Sequence, residues 1–187
     1  MLLRGLLIAI TTALCIGLLV GQQKGNSGAQ QELLLTNPDF IQMSLVPIAS
    51  KRASIANPHV KIPEPFKAGD KVKFDLMMTN TSLFPVRIFV WDTYIQNRPE
   101  LYRDSELLTY LDEIEKLLPT TETANDFMRT AWVLLEPGSS KSIEPITLAD
   151  WYEPLKPGHY QLKVKHRFQQ GGKWIESAPV TFEVYPK

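Results

Sequence analysis

Three histidines, one cysteine and a few clustered carboxylates are the residues of this chain best suited to chemistry. No two of His59, His159 and His166 have the His-x-x-x-His spacing that sets two ligands on one helix face around a metal. His159 and His166 lie on an extended segment, about 23 Å apart at ~3.3 Å per residue, too far to share an ion. His166 also has the parity of Leu162 and Val164, which reads as a sheet-end core histidine or a hydrogen-bonding one. Asp112, Glu113 and Glu115 sit beside Lys116 in a helical pattern and read as a solvated face. An acid–base pair would need two carboxylates in one cleft with separated pKa values. Cys15 falls inside an apolar N-terminal run, so the remainder of the chain has no thiol for a nucleophile, a disulfide or a metal. No Gly-x-Ser-x-Gly elbow occurs. Gly171-Gly172 precedes no strand-to-helix junction, so it reads as a hairpin turn and not as a phosphate cradle. The expectation is a non-enzymatic protein with no catalytic residue, no metal ligand and no cofactor.

Aromatic residues are the stronger lead. Trp91, Trp132, Trp151 and Trp174, with Tyr94, Tyr102, Tyr110 and Tyr152, exceed what one small core needs. Trp151-Tyr152 falls in a loop and Trp174 flanks a hairpin tip, and aromatics in loops mark partner or ligand sites. Trp151, Tyr152, Trp174, Tyr102 and Tyr110 are therefore the expected contact surface. The bland alternative is that they plug the ends of the fold. Trp91 is expected in the core. Asp92, which shares the parity of Val90, is expected as a buried acid paired with Arg98 or Arg103.

The elements that must position these residues are mostly strands. Tyr160, Leu162, Val164 and Phe168 face one way, while Gln161, Lys163, Lys165 and Arg167 face the other, as in a half-buried antiparallel strand. Val180, Phe182 and Val184 alternate on a return strand. The lead-in Pro157-Gly158-x-Tyr160-x-Leu162 matches a tyrosine corner, in which the phenol bonds back to upstream backbone. Ile41, Met43 and Leu45 alternate in Phe40–Val46. Val72, Phe74, Leu76 and Met78 alternate against Lys71, Lys73 and Asp75. Pro85–Tyr94 is apolar on both faces, with Val86, Ile88 and Val90 opposite Phe89 and Trp91, so something must lie over its second face. The insertion Ile95–Asp126 is expected to supply that cover. It begins irregularly at Asn97-Arg98-Pro99-Glu100 and then forms a helix of two to three turns over Leu111–Leu118, closed by Pro119. Phe127–Leu135 and Lys141–Ile146 read as further strands, Leu148–Tyr152 as one helical turn, and Lys51–Pro65 as a Pro-rich loop. The fold class is all-β, an Ig-like antiparallel β-sandwich with a short helical insertion.

The sequence of turns and strands carries a resemblance. Leu76-Met77-Met78-Thr79-Asn80-Thr81-Ser82 then Pro85-Val86-Arg87-Ile88, Leu135-Glu136-Pro137-Gly138, and Leu155-Lys156-Pro157-Gly158-His159-Tyr160 resemble the Ig-like family that includes the BsuPI-type proteinase inhibitors. The likeness to fibronectin type III modules is looser. It spans about Phe66–Val184 apart from the insertion, and it rests on turn and strand chemistry, so it implies the fold first. An inhibitory role would be implied by the resemblance alone, and no inhibitory loop matches residue by residue. Arg98-Pro99-Glu100-Leu101 is also similar to a segment of other exported bacterial proteins.

Arg4 followed by the apolar run Gly5–Val20 reads as a secretory signal or an uncleaved anchor. Sixteen residues at 1.5 Å each span about 24 Å, short of a ~30 Å hydrocarbon core. Ser27-Gly28-Ala29 offers a cleavage site, so residues 1–29 are expected as the leader and residues 30–187 as one domain. Lys+Arg and Asp+Glu each total 20, which leaves no basic field for nucleic acid or for an anionic membrane surface. The expected setting is periplasmic or extracellular, with membrane contact only through the leader. The expected function is binding, foremost protein–protein contact with another envelope or extracellular protein through Ile95–Asp126 and Asp150–Pro157. The alternatives are a secreted protease inhibitor, using a rigid Pro58–Pro65 loop, and a carbohydrate-binding module using coplanar Trp151, Tyr152 and Trp174.

Overall fold

The computed structural model describes residues 38–49, 51–53, 61–63, 65–123, 131–169 and 172–187. The expected leader 1–29 and the segments 54–60 and 127–130 lie outside these, and with them part of the Pro58–Pro65 loop. In chain order the strands are β1 (Ile41–Pro47), β2 (Lys51–Ala53), β3 (Lys61–Pro63), β4 (Phe66–Lys67), β5 (Lys73–Asn80) and β6 (Val86–Val90). A helical turn α1 (Thr93–Gln96) leads into β7 (Asn97–Arg103) and β8 (Glu106–Leu107), followed by helix α2 (Asp112–Thr123). Then come β9 (Ala131–Leu135), β10 (Ser140–Thr147), β11 (Gly158–His166), β12 (Ile175–Glu176) and β13 (Val180–Tyr185).

The described residues are mostly β. One sheet has the order β1-β5-β10 and the larger one β4-β13-β11-β7-β8, with β12 on β11. Pairings are antiparallel except β4 with β13. This arrangement is compatible with a β-sandwich. Period-two alternation builds the inner faces: Ile41, Met43, Leu45, Phe74, Leu76 and Met78 are buried from one sheet, and Leu101, Leu162, Val164 and Val184 from the other. Phe74 joins the layers, with its ring 5.1 Å from Phe182 and 6.1 Å from Phe66. The β6–β9 pair forms a separate two-stranded ribbon. Among the described residues no helix is long and apolar enough to cross a membrane.

The insertion departs most from expectation. Asn97–Arg103 is a strand pairing with β11 from Asn97↔His166 to Tyr102↔Gln161 and Tyr160↔Arg103, and its other side meets β8 only at Tyr102 and Arg103. A proline inside this strand concealed it, since Pro cannot donate to a ladder. Pro99 stands opposite Val164, whose N–H and C=O are committed to Ser177 on the other side. The Pro99 position therefore directs its backbone away from β11, where a missing N–H costs no ladder bond.

Helix α2 also runs past Pro119 to Thr123. The Thr120 and Thr121 hydroxyls donate to the carbonyls of Leu117 and Leu118 at 2.6 and 2.7 Å. Thr121 is buried and accepts from Arg98 Nη2 at 3.1 Å, a tertiary anchor that offsets the proline. Its inward stripe is Leu111, Ile114, Leu118 and Thr121. This stripe meets α1 and the Trp151 end, with the Leu111 N–H donating to Trp151 O at 2.8 Å. At the start of the insertion, Gln96 ties itself to the backbone of the Phe89–Trp91 segment. Its Oε1 accepts from Trp91 N–H at 2.6 Å, and its Nε2 donates to Phe89 O at 3.0 Å.

Candidate functional site

Of the five aromatics chosen as a contact surface, Trp151 and Tyr152 are buried and Trp174, Tyr102 and Tyr110 are half-buried. The burial of Trp151 and Tyr152 corrects their expected exposure. The Leu148–Asp150 3-10 turn swings both rings inward, where Trp151 packs 4.9 Å from Tyr94 and 5.6 Å from Tyr110. Tyr110 lies 5.3 Å from Tyr152. The polar tips are consumed as well. Pro99 O accepts from Tyr152 Oη at 2.5 Å and from Tyr110 Oη at 2.8 Å, while the Leu101 N–H donates to Tyr152 Oη at 3.2 Å. Burial pushes the Tyr110 phenol up to about 12 and raises Tyr152 as well, so both stay neutral. These phenols close the open backbone edge of β7 and offer no general base.

Trp174 is half-buried and is no free platform either. The Arg98 and Arg167 guanidinium carbons lie 4.9 and 4.7 Å from its ring. Arg98 Nη1 donates to Tyr94 O at 2.5 Å and Asn97 O at 2.7 Å. Buried Arg167 donates through Nε to Ile95 O at 2.9 Å. The knot ties α1 and α2 to the end of β11. Asp92 is not the buried acid expected. It is exposed and caps α1, accepting from Tyr94 N–H at 2.8 Å. Arg103 donates to Pro157 O at 2.8 Å, and a Cβ on Gly158 would come within 2.9 Å of its Nε. Tyr160 Oη donates to Lys156 O at 2.7 Å, and Trp91 is buried.

His166 is fully buried in a polar chain that sequence reading did not assemble. Asn97 Nδ2 donates to Thr93 Oγ1 and Glu144 Oε2, both at 3.2 Å, which turns its Oδ1 toward His166 Nδ1 at 2.8 Å. Nδ1 therefore carries the proton, and Nε2 has no hydrogen-bond partner among the described residues. Burial lowers the imidazole to about 3, so it is neutral, and burial raises Glu144. The residues that could reveal this chain, Asn97 and Glu144, lie 47 positions apart and carry no local signal.

Two surfaces remain open. The outer face of β11 and β7 carries Glu100 between Lys163, 3.3 Å away, and Lys165, and Glu176 pairs with Lys163 at 2.9 Å and lies 3.9 Å from Lys165. Burial pushes Glu100 up, but hydrogen bonds and charge from Lys165 and Lys163 outweigh it, and its carboxyl sits below the ordinary range. The other is apolar. Trp132 on β9 is 55% exposed and lies under the Arg87 guanidinium carbon at 4.7 Å. In the loop entering β6, Leu83 is 86% and Phe84 57% exposed. That loop is built around buried Asn80. Its Nδ2 donates to Phe84 O at 2.6 Å and Leu135 O at 3.0 Å, and its Oδ1 accepts from Ser82 N–H and Oγ at 2.9 and 2.8 Å. The amide faces inward, so Asn80-Thr81-Ser82 is a turn scaffold and not a glycan acceptor. Sequence reading missed Leu83, Phe84 and Arg87. An apolar dipeptide between Ser82 and Pro85, where turn chemistry asks for polar residues, was the available signal.

Among the described residues no group of three His, Cys, Asp or Glu side chains is placed to hold a metal. No protein-family model matches the chain, and no curated protein matches it.

Proposed function

We propose that this chain is an exported binding module of the Ig-like sandwich class that acts through protein–protein contacts and not by catalysis. The Ig-like reading draws support from the Tyr160–Lys156 bond and from β4 joining β13 in parallel while β1 pairs in the opposite sheet. The observation that carries the binding reading is the coincidence of exposed Leu83, Phe84 and Trp132 with a rigid support. Leu83 and Phe84 are adjacent exposed apolar side chains and Trp132, opposite Phe89, lies further along the same ribbon, while the Asn80 scaffold holds the loop. Preorganisation of this kind reduces the entropy lost on association. Trp132 under Arg87 supplies an aromatic and an arginine, the residue types enriched at interface hot spots. The partner is another envelope or extracellular protein with an apolar concavity.

The test is site-directed photocrosslinking in the native envelope. A photoreactive residue at position 84 or 132 should trap one discrete protein, and the same probe at exposed Lys141 should not. Phe84→Asp and Trp132→Glu should each abolish the adduct formed from the other position while leaving the thermal midpoint unchanged. Adducts that survive both substitutions would sink the proposal. The inhibitor alternative was placed on the Pro58–Pro65 loop, and the partner trapped here bears on it as well. If the trapped protein is an endopeptidase whose activity falls on mixing, the contact is inhibitory.

A further inference from the structure

We infer that the groove at the Asp104-Ser105 end of the larger sheet is a binding site for a neutral oligosaccharide. It is an open groove of about 520 Å³, lined by Tyr102, Asp104, Ser105, His159, Gln161 and Thr181, among others. This volume lies within the range of small-ligand sites, roughly 300–1,000 Å³. Its floor is one cross-strand row, because Gln161 pairs with Tyr102 on one side and with Thr181 on the other. The next outward row carries His159 and Glu183, 4.0 Å apart.

The hairpin turn between β7 and β8 forms the rim, and its sequence is unusual. Asp104 has φ 50° and Ser105 φ 71°. A two-residue turn with both φ values positive favours Asn-Gly or Asp-Gly, since a Cβ is disfavoured in the left-handed region. Ser105 stands where glycine would be more stable, and its side chain borders the groove. Such local strain is retained where the side chain has a task.

The chemistry of the lining selects the ligand. A pyranose ring presents an apolar C–H face and a rim of hydroxyls that both donate and accept. Tyr102 supplies an aromatic side chain, and Gln161, Thr181, Asp104, Ser105 and Glu183 supply amide, hydroxyl and carboxylate partners around it. Two carboxylates and neither lysine nor arginine are among the lining residues, so an acidic sugar or a phosphate is disfavoured. Asp104 is balanced from outside by Arg103 Nε at 3.7 Å. A peptide strand would add to a sheet edge, whereas this groove lies on a sheet face.

The test uses the full chain in a detergent without a sugar headgroup, titrated with cellohexaose, with hexa-N-acetylchitohexaose, and with polygalacturonate as the acidic counterpart. At about 10 mM, a range in which weak binding registers, one neutral oligomer should shift the backbone amide resonances of Tyr102, Gln161 and Thr181. Polygalacturonate should not. Tyr102→Ala and Gln161→Ala should each weaken binding about tenfold or more, and Trp132→Glu should leave it unchanged, which separates this site from the protein-contact surface. Ser105→Gly should raise the thermal midpoint and weaken binding together. No shift with either neutral oligomer, shifts that survive Tyr102→Ala, or a Ser105→Gly variant that is stabilised with affinity intact would overturn the assignment.

Discussion

Two regions of this molecule are rich in aromatic residues, and they treat them in opposite ways. At the Trp151 end, Tyr94, Tyr110, Trp151 and Tyr152 close on one another and spend their polar tips on the backbone of β7. On the β6–β9 ribbon, Trp132 stands more than half exposed with the Arg87 guanidinium stacked on its face. The first region sits in a loop by sequence, and the second lies on a regular strand. Location in a loop is therefore a poor guide to exposure. What decides is whether the local backbone leaves an edge that needs closing. β7 has such an edge, because β8 pairs only with Tyr102 and Arg103, and the phenols of Tyr110 and Tyr152 take the place of a neighbouring strand.

The largest expected effect contrasts the two tryptophans directly. Trp151→Ala empties a site that is 1% exposed and should cost about 3–5 kcal/mol of unfolding free energy. Trp132→Ala removes a surface ring and should change stability by no more than about 0.5 kcal/mol. Urea denaturation followed by far-UV circular dichroism measures both. Similar losses from the two substitutions would erase the distinction between plug and surface.

Acid should separate the interior from the ribbon next. His166 titrates at about 3 when folded against an ordinary 6.5, because burial penalises its cation. Between those values the unfolded chain takes up a proton that the folded chain refuses. Stability is therefore whole above about pH 6.5 and falls on acidification by roughly 1.4 kcal/mol per pH unit, levelling near pH 3. Glu144 works in the opposite sense. Its raised folded pKa means a contribution present at low pH and lost as pH rises through that value. Glu144→Gln should therefore steepen the acid loss, and His166→Gln should flatten it. Urea midpoints taken from pH 7 down to pH 4 would show both slopes, and an unchanged slope in His166→Gln would mean that another group governs the transition.

Much of the strand pattern was legible because alternation needs only neighbours. Ile41, Met43 and Leu45, then Phe74, Leu76 and Met78, then Leu162 and Val164 declare a buried face at every second position. β7 was hidden because Pro99 argues against a strand unless the direction of its missing N–H is known, and that direction depends on Ser177 in a distant segment. Asp92 was misread because parity places a residue on a face only while the strand continues, and β6 ends at Val90. The candidate surfaces were legible only in part. Tyr102 could be singled out as an aromatic, but the groove needs Gln161 and Thr181 in register beside it. Leu83 and Phe84 needed Asn80 to turn an apolar dipeptide into a held loop.

Within the buried end, the hydroxyl of Tyr152 can be separated from its ring. Tyr152→Phe keeps the packing against Tyr110 and removes the group that serves both Leu101 N–H and Pro99 O. Pro99 O still accepts from Tyr110, but the buried Leu101 N–H loses this acceptor. The expected cost is about 1–3 kcal/mol, with hydrogen exchange at Leu101 accelerating more than at Leu162 in the neighbouring strand. Equal acceleration at both would mean that the hydroxyl supports the sheet as a whole and not the open edge of β7.

The smallest effect is expected on the outer sheet face, where charge is arranged with only partial burial. Glu100 bonds Lys165 and lies 3.3 Å from Lys163, and Lys163 also reaches Glu176 at 2.9 Å. The side chains of Glu100 and Lys163 are 19% and 26% exposed, so water still screens the group. Glu100→Gln should cost no more than about 1 kcal/mol, and raising the salt concentration should shrink the difference from the parent chain. The direction with pH follows from the lowered carboxyl. The contribution of Glu100 is present above the ordinary carboxylate range and is lost as pH falls through its depressed value. Glu100→Gln should therefore differ most from the parent at neutral pH and converge with it in acid, while Trp151→Ala should not. If the Glu100→Gln loss exceeded that of Tyr152→Phe and ignored salt, the outer face would be as much a part of the structural core as the aromatic end, and a surface left free for ligands would have to be sought on the ribbon alone.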